Sequence, residues 1–533
     1  MSWWRRSASS PEPSGETRRE GSEGSSGETT QEKAAPVGTG QNDLASRQEE
    51  NEDGREVFHL ALLSHTNVGK TTLARTLLRR DVGEVLDRAH VTDLSTAYTL
   101  VENERARLEL WDTPGFGDSV RLRQRLEGRS QPLGWLLSQV WDRFADRPLW
   151  SSQRAVETLS QRADAVLYLV NAAEDPELAG YVEPELAILQ WAGRPVLLLL
   201  NQLGDGSASA DGTAESDTAL LEPWLRFAER FDVIRSVQPL DAFTRCWVQE
   251  GLLLQKLSTL VDEDQRELVA ELAAAYQHRQ RETYRRSVEA LATYLAEAAQ
   301  ARQILSKTRA SRGEKEQAME GLIEELEART QRLMDHLINL HELEGRAAVS
   351  FRRQLDQFLV HGTTSLTTEQ GALWGGAVSG ALGGLTADIL AGGLTFGGGV
   401  LAGAILGALG GAGLTRAYEI AKLRGEPAVA FSPDFLDRLA ELTLLRYLAI
   451  AHFGRGRGPF EDTEAPDLWR QRVESHFEGA AEPYRACWSR ARREGTTRGD
   501  LEAKLSNTCR DSLDELLIAA YPDARELLRS SSR

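Results

Sequence analysis

Ser64-His65-Thr66-Asn67-Val68-Gly69-Lys70-Thr71-Thr72 is the stretch that decides the fold. It fits GxxxxGK[ST] with serine in place of the first glycine. The apolar run VFHLALL (57–63) precedes it and LARTLLRR (73–80) follows, so the motif joins a strand to a helix. A loop in that position turns backbone N–H groups toward a β-phosphate, and the helix dipole adds to the field. The residues expected to line the nucleotide are Ser64, Asn67, Val68, Gly69, Lys70, Thr71 and Thr72. Lys70 reaches the β/γ-phosphates and is the foremost catalytic candidate, and the Thr71 hydroxyl binds Mg²⁺.

Working outward, ARLELW (106–111), AVLYLVN (165–171) and PVLLLLN (195–201) read as further strands. The last two are almost wholly apolar, as in parallel strands buried on both faces. Helical patterns fit between them, which gives an α/β fold: a P-loop, doubly wound, mostly parallel sheet over 56–258. Asp112-Thr113-Pro114-Gly115 ends the strand at 106–111. There Asp112 can hold Mg²⁺ through water and the Gly115 amide can sense a γ-phosphate. Thr92, in HVTDLST, is the candidate switch threonine that closes on Mg²⁺ and joins Lys70 in the catalytic set; a solvated loop threonine is the competing reading.

Two positions depart from the usual pattern. Phe116 stands directly after DTPG, and a phenyl ring cannot orient water by hydrogen bonding, so hydrolysis needs another side chain, a cation or a partner. Base recognition is expected after the strand at 195–201, where the chain reads Asn201-Gln202-Leu203-Gly204-Asp205. Asn201 is in place, while the carboxylate that would pair with a guanine is absent or displaced to Asp205. Asp241–Arg245 lies where a loop backing the base would fall.

The remaining chain divides by composition. Residues 1–55 are rich in Ser, Gly, Glu, Arg and Thr and read as a disordered tail. Residues 259–370 begin with strong helix formers, without an internal proline over 259–350, and read as a long helical arm broken near Ser311–Gly313. Residues 371–415 hold one charge, Asp388, with glycines every four residues at 376, 380 and 384 and at 399, 403, 407 and 411. Each glycine costs a helix about 1 kcal/mol against alanine, so packing or a bilayer must supply stability. Two readings follow, a membrane-facing hairpin of helices near bilayer length or a hairpin packed within protein. Residues 416–533 are helical and amphipathic, which makes the C-terminal region all-α.

Lys and Arg number 62 against 80 Asp and Glu, a net charge of −18, which argues against nucleic acid as a partner. Three widely spaced cysteines form neither a disulfide framework nor a CxxC site. They fit a reduced, cytoplasmic protein, at the inner face of the cell membrane if 371–415 faces lipid. The nine histidines show no HExxH spacing.

SHTNVGKTTLARTLL (64–78), RDVGEVLDR (80–88), DTPGFGDS (112–119) and PLDAFTR (239–245) resemble bacterial Era/TrmE-like GTPases that carry a C-terminal DUF3482 domain. LLRYLAIAHFGRGRGP (444–459), preceded by the glycine-rich segment, is similar to that C-terminal domain. The resemblance covers about 57–460 and the tail beyond. It implies a TRAFAC-class domain that binds GTP and GDP with Mg²⁺, using Lys70, Thr71, Asp112 and Gly115. It also makes Asn67 a candidate ligand for an activating K⁺, against simple loop hydrogen bonding.

Three functions compete on this basis. The first is a GTPase switch, slow or activated by a cation or partner, that couples nucleotide state through the helical arm to a membrane-associated C-terminal domain. The second is a nucleotide-sensing scaffold that does not hydrolyse and holds an unidentified protein partner. The third is a ribosome- or RNA-associated assembly GTPase, which the net charge disfavours. Self-association is compatible with each.

Overall fold

The computed structural model describes residues 54–65, 68–79, 96–138, 146–201, 215–240, 246–307, 310–343, 418–423, 426–452 and 466–529. The expectations for the N-terminal tail to residue 53, for Asn67, Thr92, Asp205 and 241–245, and for the glycine-rich segment 371–415 lie outside them.

Strands β1 (Glu56–Ser64), β2 (Thr96–Glu102), β3 (Ala106–Asp112), β4 (Ala165–Asn171), β5 (Val196–Asn201) and β6 (Ile234–Pro239) form one sheet in the order β2-β3-β1-β4-β5-β6. Only β2 runs antiparallel to its neighbour. The order reverses at β1, which puts the ends of β1, β3, β4 and β5 around one crevice, where ligands of such sheets bind.

Side chains alternate between two cores with a period of two. Phe58, Leu60, Leu62, Leu167, Leu169, Leu197 and Leu199 enter one. Ala61, Leu63, Val166, Tyr168, Val170, Leu198 and Leu200 enter the other. The second face is covered by α2 (Ser119–Leu126), α3 (Pro132–Ser138), α4 (Arg147–Gln161), α5 (Val182–Ala192) and α6 (Glu215–Ala228). The first is covered by α1 (Lys70–Leu78), α7 (Trp247–Leu260) and the beginning of α8 (Glu263–Gln300).

Helix α8 has 38 residues and so spans about 57 Å at 1.5 Å per residue. Its first half puts Leu268, Val269, Leu272 and Tyr276 into the core of the sheet. Its second half puts Tyr284, Val288, Leu291 and Leu295 into the C-terminal core. There it meets α9 (Arg312–Leu340), α10 (Pro433–Ala451), α11 (Pro466–Ala491) and α12 (Arg498–Ala520). The boundary expected at 258 therefore falls inside α7, close to its end, and α7 shares a core with α8.

Among the described residues the C-terminal region is helical apart from a small sheet, which departs from the all-α expectation. β7 (Arg302–Ile304), β9 (Glu426–Phe431) and β8 (Tyr418–Leu423) form an antiparallel sheet in the order β7-β9-β8. The break between the long helices is consequently wider than expected: α8 ends at Gln300, β7 intervenes, and Ser311 caps α9 by accepting from the Glu314 amide. A three-residue strand pairs through backbone groups with residues more than a hundred positions away, which local periodicity does not register.

Cys246, Cys487 and Cys509 are free and buried, and burial pushes the Cys246 and Cys509 thiols up to about 12. Aromatic thiol reagents should label all three far more slowly in the native protein, through transient openings, than in the unfolded chain. Leu272→Ala, at a fully buried site, should cost about 2–5 kcal/mol in denaturant unfolding. It should lower the stability of the sheet although it lies on α8. Leu178→Ser, at an 82% exposed position, should stay within about 0.5 kcal/mol.

Candidate nucleotide site

The turn out of β1 is built by Gly69, whose φ of 98° lies in the left-handed region that a side chain disfavours. It precedes Lys70 as the N-cap of α1. Ser64 replaces a glycine without backbone strain: it closes β1 and is not among the described residues at positive φ. Its hydroxyl donates to the His65 carbonyl at 2.6 Å.

Lys70 Nζ donates to Asp112 Oδ1 at 2.7 Å, and both side chains are buried. The Thr71 hydroxyl lies 3.4 Å from Asp112 Oδ2. The structure thus joins three residues expected from the sequence, one cation and two hard oxygen donors, at the mouth of the crevice. Oxygen donors of this kind suit Mg²⁺, which keeps several waters and takes one or two protein ligands beside the phosphates. Thr71 and Asp112 fit that ion.

Asn201 plays a part that its place in NQLGD does not announce. At the end of β5 and fully buried, it donates from Nδ2 to the Val68 carbonyl at 2.8 Å. It fastens the phosphate loop to the fifth strand.

The DTPG turn is anchored just as firmly. The Thr113 hydroxyl donates to the Leu62 carbonyl at 2.7 Å, and the Phe116 amide donates to the Ser64 carbonyl at 3.1 Å. The Gly117 amide donates to the Ser152 hydroxyl on α4 at 3.2 Å. Gly115 sits between these tethers. The Phe116 ring is fully buried with Ala61, Leu63, Leu122 and Leu126, so its work is packing.

Sequence reading missed a second layer behind the loop. His65 Nδ1 lies 2.6 Å from Glu185 Oε1 on α5, and the Tyr168 hydroxyl donates to Glu185 Oε2 at 2.8 Å. Glu185 sits in VEPELAILQWA, where a helix acid ordinarily faces water, and no local pattern marks it as buried.

Residues 231–519 match the family model described as "Domain of unknown function (DUF3482)". The chain belongs to the DUF3482 family. Residues 59–202 match the model described as "50S ribosome-binding GTPase", so this DUF3482 protein carries a P-loop GTPase domain at its N-terminal side. No curated protein matches the chain.

Among solved structures, Aquifex aeolicus Era bound to GDP.AlF4- is similar at 17% identity and a TM-score of 0.28, over 39% of this chain and 57% of that one. S. thermophilus NFeoB bound to GMPPNP is similar at 20% identity and a TM-score of 0.22, over 35% and 55%. A GTP-binding protein from the archaeon Sulfolobus solfataricus in complex with GDP gives 18%, a TM-score of 0.22, and 41% and 52%. The DUF3482 chain therefore spans a little over half the length of these structures.

Asn201→Ala leaves the buried Val68 carbonyl without its donor, a loss of about 1–3 kcal/mol. It should appear as nucleotide affinity weakened about 5- to 150-fold in a fluorescent-nucleotide titration, with the helical content of the protein unchanged.

Proposed function

We propose that this protein is a GTPase switch, binding GTP and GDP with Mg²⁺ at the 64–72 loop and passing nucleotide state to its helical region through α8. The observation that carries the proposal is the double membership of α8, whose two halves lie in the cores of the two regions. A polar contact at the end of α1 reinforces it. Arg79, buried with φ of 56°, donates to Gln280 on α8 and lies 3.6 Å from Glu250 on α7. Movement of the phosphate-binding helix is thereby felt at the helices that lead into the C-terminal core.

In the proposed site, loop amides ending at Gly69 face the phosphates and Lys70 offsets their charge. Thr71 and Asp112 would hold the metal, whose charge would stabilise negative charge developing on the transferred phosphoryl group. The Gly115 amide reports the γ-phosphate. Thr92 is the proposed switch threonine, and Asn67 the proposed K⁺ ligand. Because Phe116 is buried in the core, water orientation falls to a cation or partner, which makes unassisted turnover slow. The same burial favours the second reading, a nucleotide-sensing scaffold without hydrolysis. The composition of 371–415 supports a membrane-facing segment; among the described residues, which do not include it, no helix is long and apolar enough to cross a membrane. A role on RNA stays disfavoured by the net charge of −18.

Turnover of GTP and ATP, with potassium or sodium and with or without anionic liposomes, tests the proposal. GTP-selective hydrolysis raised by potassium or lipid supports the switch, and binding without turnover in every condition supports the scaffold. Lys70→Ala removes a charged hydrogen-bond donor and should weaken binding about 10- to 100-fold, or roughly 1.5–3 kcal/mol. Coupling has its own reporter. Cys487 and Cys509 lie in the C-terminal core, and GTP should slow their labelling by suppressing openings of that core. Gln280→Ala should erase this protection while leaving nucleotide affinity within about threefold, less than 1 kcal/mol.

A further inference from the structure

Glu185 is fully buried on α5. Burial raises its pKa, and His65, Tyr168 and Ser119 act in the opposite sense, toward the charged form. Burying a charged pair brings little net stability, and apolar replacement is often neutral or better. Packing alone therefore does not explain an acid here, and its partners are placed at the nucleotide site. His65 is the second residue of the phosphate loop, its ring stacked on Tyr181 with centroids 4.2 Å apart. It forms a parallel bridge with Phe116, the residue after DTPG. Ser119 is the first residue of α2, the helix that follows the DTPG turn. Two residues earlier on α5, Glu183 accepts from Arg123 of the same α2 at 2.9 Å. Helix α5 thus holds the phosphate loop with Glu185 and α2 with Glu183.

We infer that His65 and Glu185 are a positioning pair, which fixes the phosphate loop relative to the DTPG turn so that the site distinguishes a nucleoside triphosphate from a diphosphate. The diphosphate is held by the loop alone. A γ-phosphate must engage the loop and the Gly115 amide together, and their spacing is set through α5. Loosening the pair therefore weakens triphosphate recognition more than diphosphate binding. This inference rests on the GTPase reading proposed above.

The test uses the full chain and compares His65→Ala, His65→Asn and Glu185→Gln with wild type. The affinities of fluorescent GDP and GTPγS are measured, with single-turnover GTP hydrolysis beside them. His65→Ala should keep GDP affinity within about threefold and lose about tenfold in the preference for GTPγS and in turnover, equivalent to about 1.4 kcal/mol. His65→Asn, whose amide can donate in place of Nδ1–H, should recover most of that loss. Glu185→Gln, which keeps one of the two acceptor oxygens and replaces the other with an amide donor, should fall between the two. Equal weakening of GDP and GTPγS in His65→Ala overturns the inference, because the pair then only stabilises the loop. An unchanged preference overturns it as well. A wild type that binds both nucleotides without hydrolysis sinks the hydrolytic reading alone, since the affinity ratio still decides the pair. A wild type that binds neither overturns both.

Discussion

A parallel sheet with apolar side chains on both faces must be covered twice, and this constraint organises the molecule. β4 and β5 leave no face for water. Five helices between the strands close one side. On the other, α1 is left with too much surface to cover, and the closing helices are α7 and α8 from the DUF3482 region. The GTPase domain is therefore completed by the segment that follows it in sequence. Because α8 continues into the C-terminal core, the helix that meets the hydrophobic requirement of the sheet also belongs to that core.

The same topology explains why the site is dense with tethers. Reversal of strand order at β1 brings the ends of β1, β3 and β5 to one edge. Each contributes one polar group: Ser64 a carbonyl to Phe116, Asp112 a carboxylate to Lys70, and Asn201 an amide to Val68. A buried backbone carbonyl or ammonium left without a partner costs more than a typical hydrogen bond returns. These contacts therefore hold Ser64, Val68 and Lys70 in place, the kind of preorganisation that phosphate binding requires. Phe116 belongs to this scheme as a packed anchor of the turn.

Much of this was legible in the residues. GxxxxGK[ST]-like spacing, DTPG at a strand end and two wholly apolar runs specify a P-loop sheet because each is a local consequence of phosphate geometry or of burial on two faces. Lys70, Thr71 and Asp112 came together as their motifs imply. The small antiparallel sheet, the shared packing of α8 and the role of Asn201 as a loop fastener were not legible. Each depends on a partner that is close in space and far along the chain: Ala430 for Arg302, Leu60 and Leu62 for the α8 core residues, Val68 for Asn201.

His65 and Glu185 mark the same divide most sharply. A histidine in a phosphate loop and a glutamate in an amphipathic helix each read as ordinary in sequence. They lie 120 positions apart and meet at 2.6 Å only because β4 lies beside β1 and α5 packs behind both. The sequence by itself determined the chemistry at hand, an ammonium, a hydroxyl and a carboxylate spaced for phosphate and a metal ion. Tertiary structure alone decided which buried groups hold that chemistry in place and which helix connects it to the rest of the chain. Local periodicity encodes which side of an element is buried, whereas the identity of what buries it is a property of the whole fold.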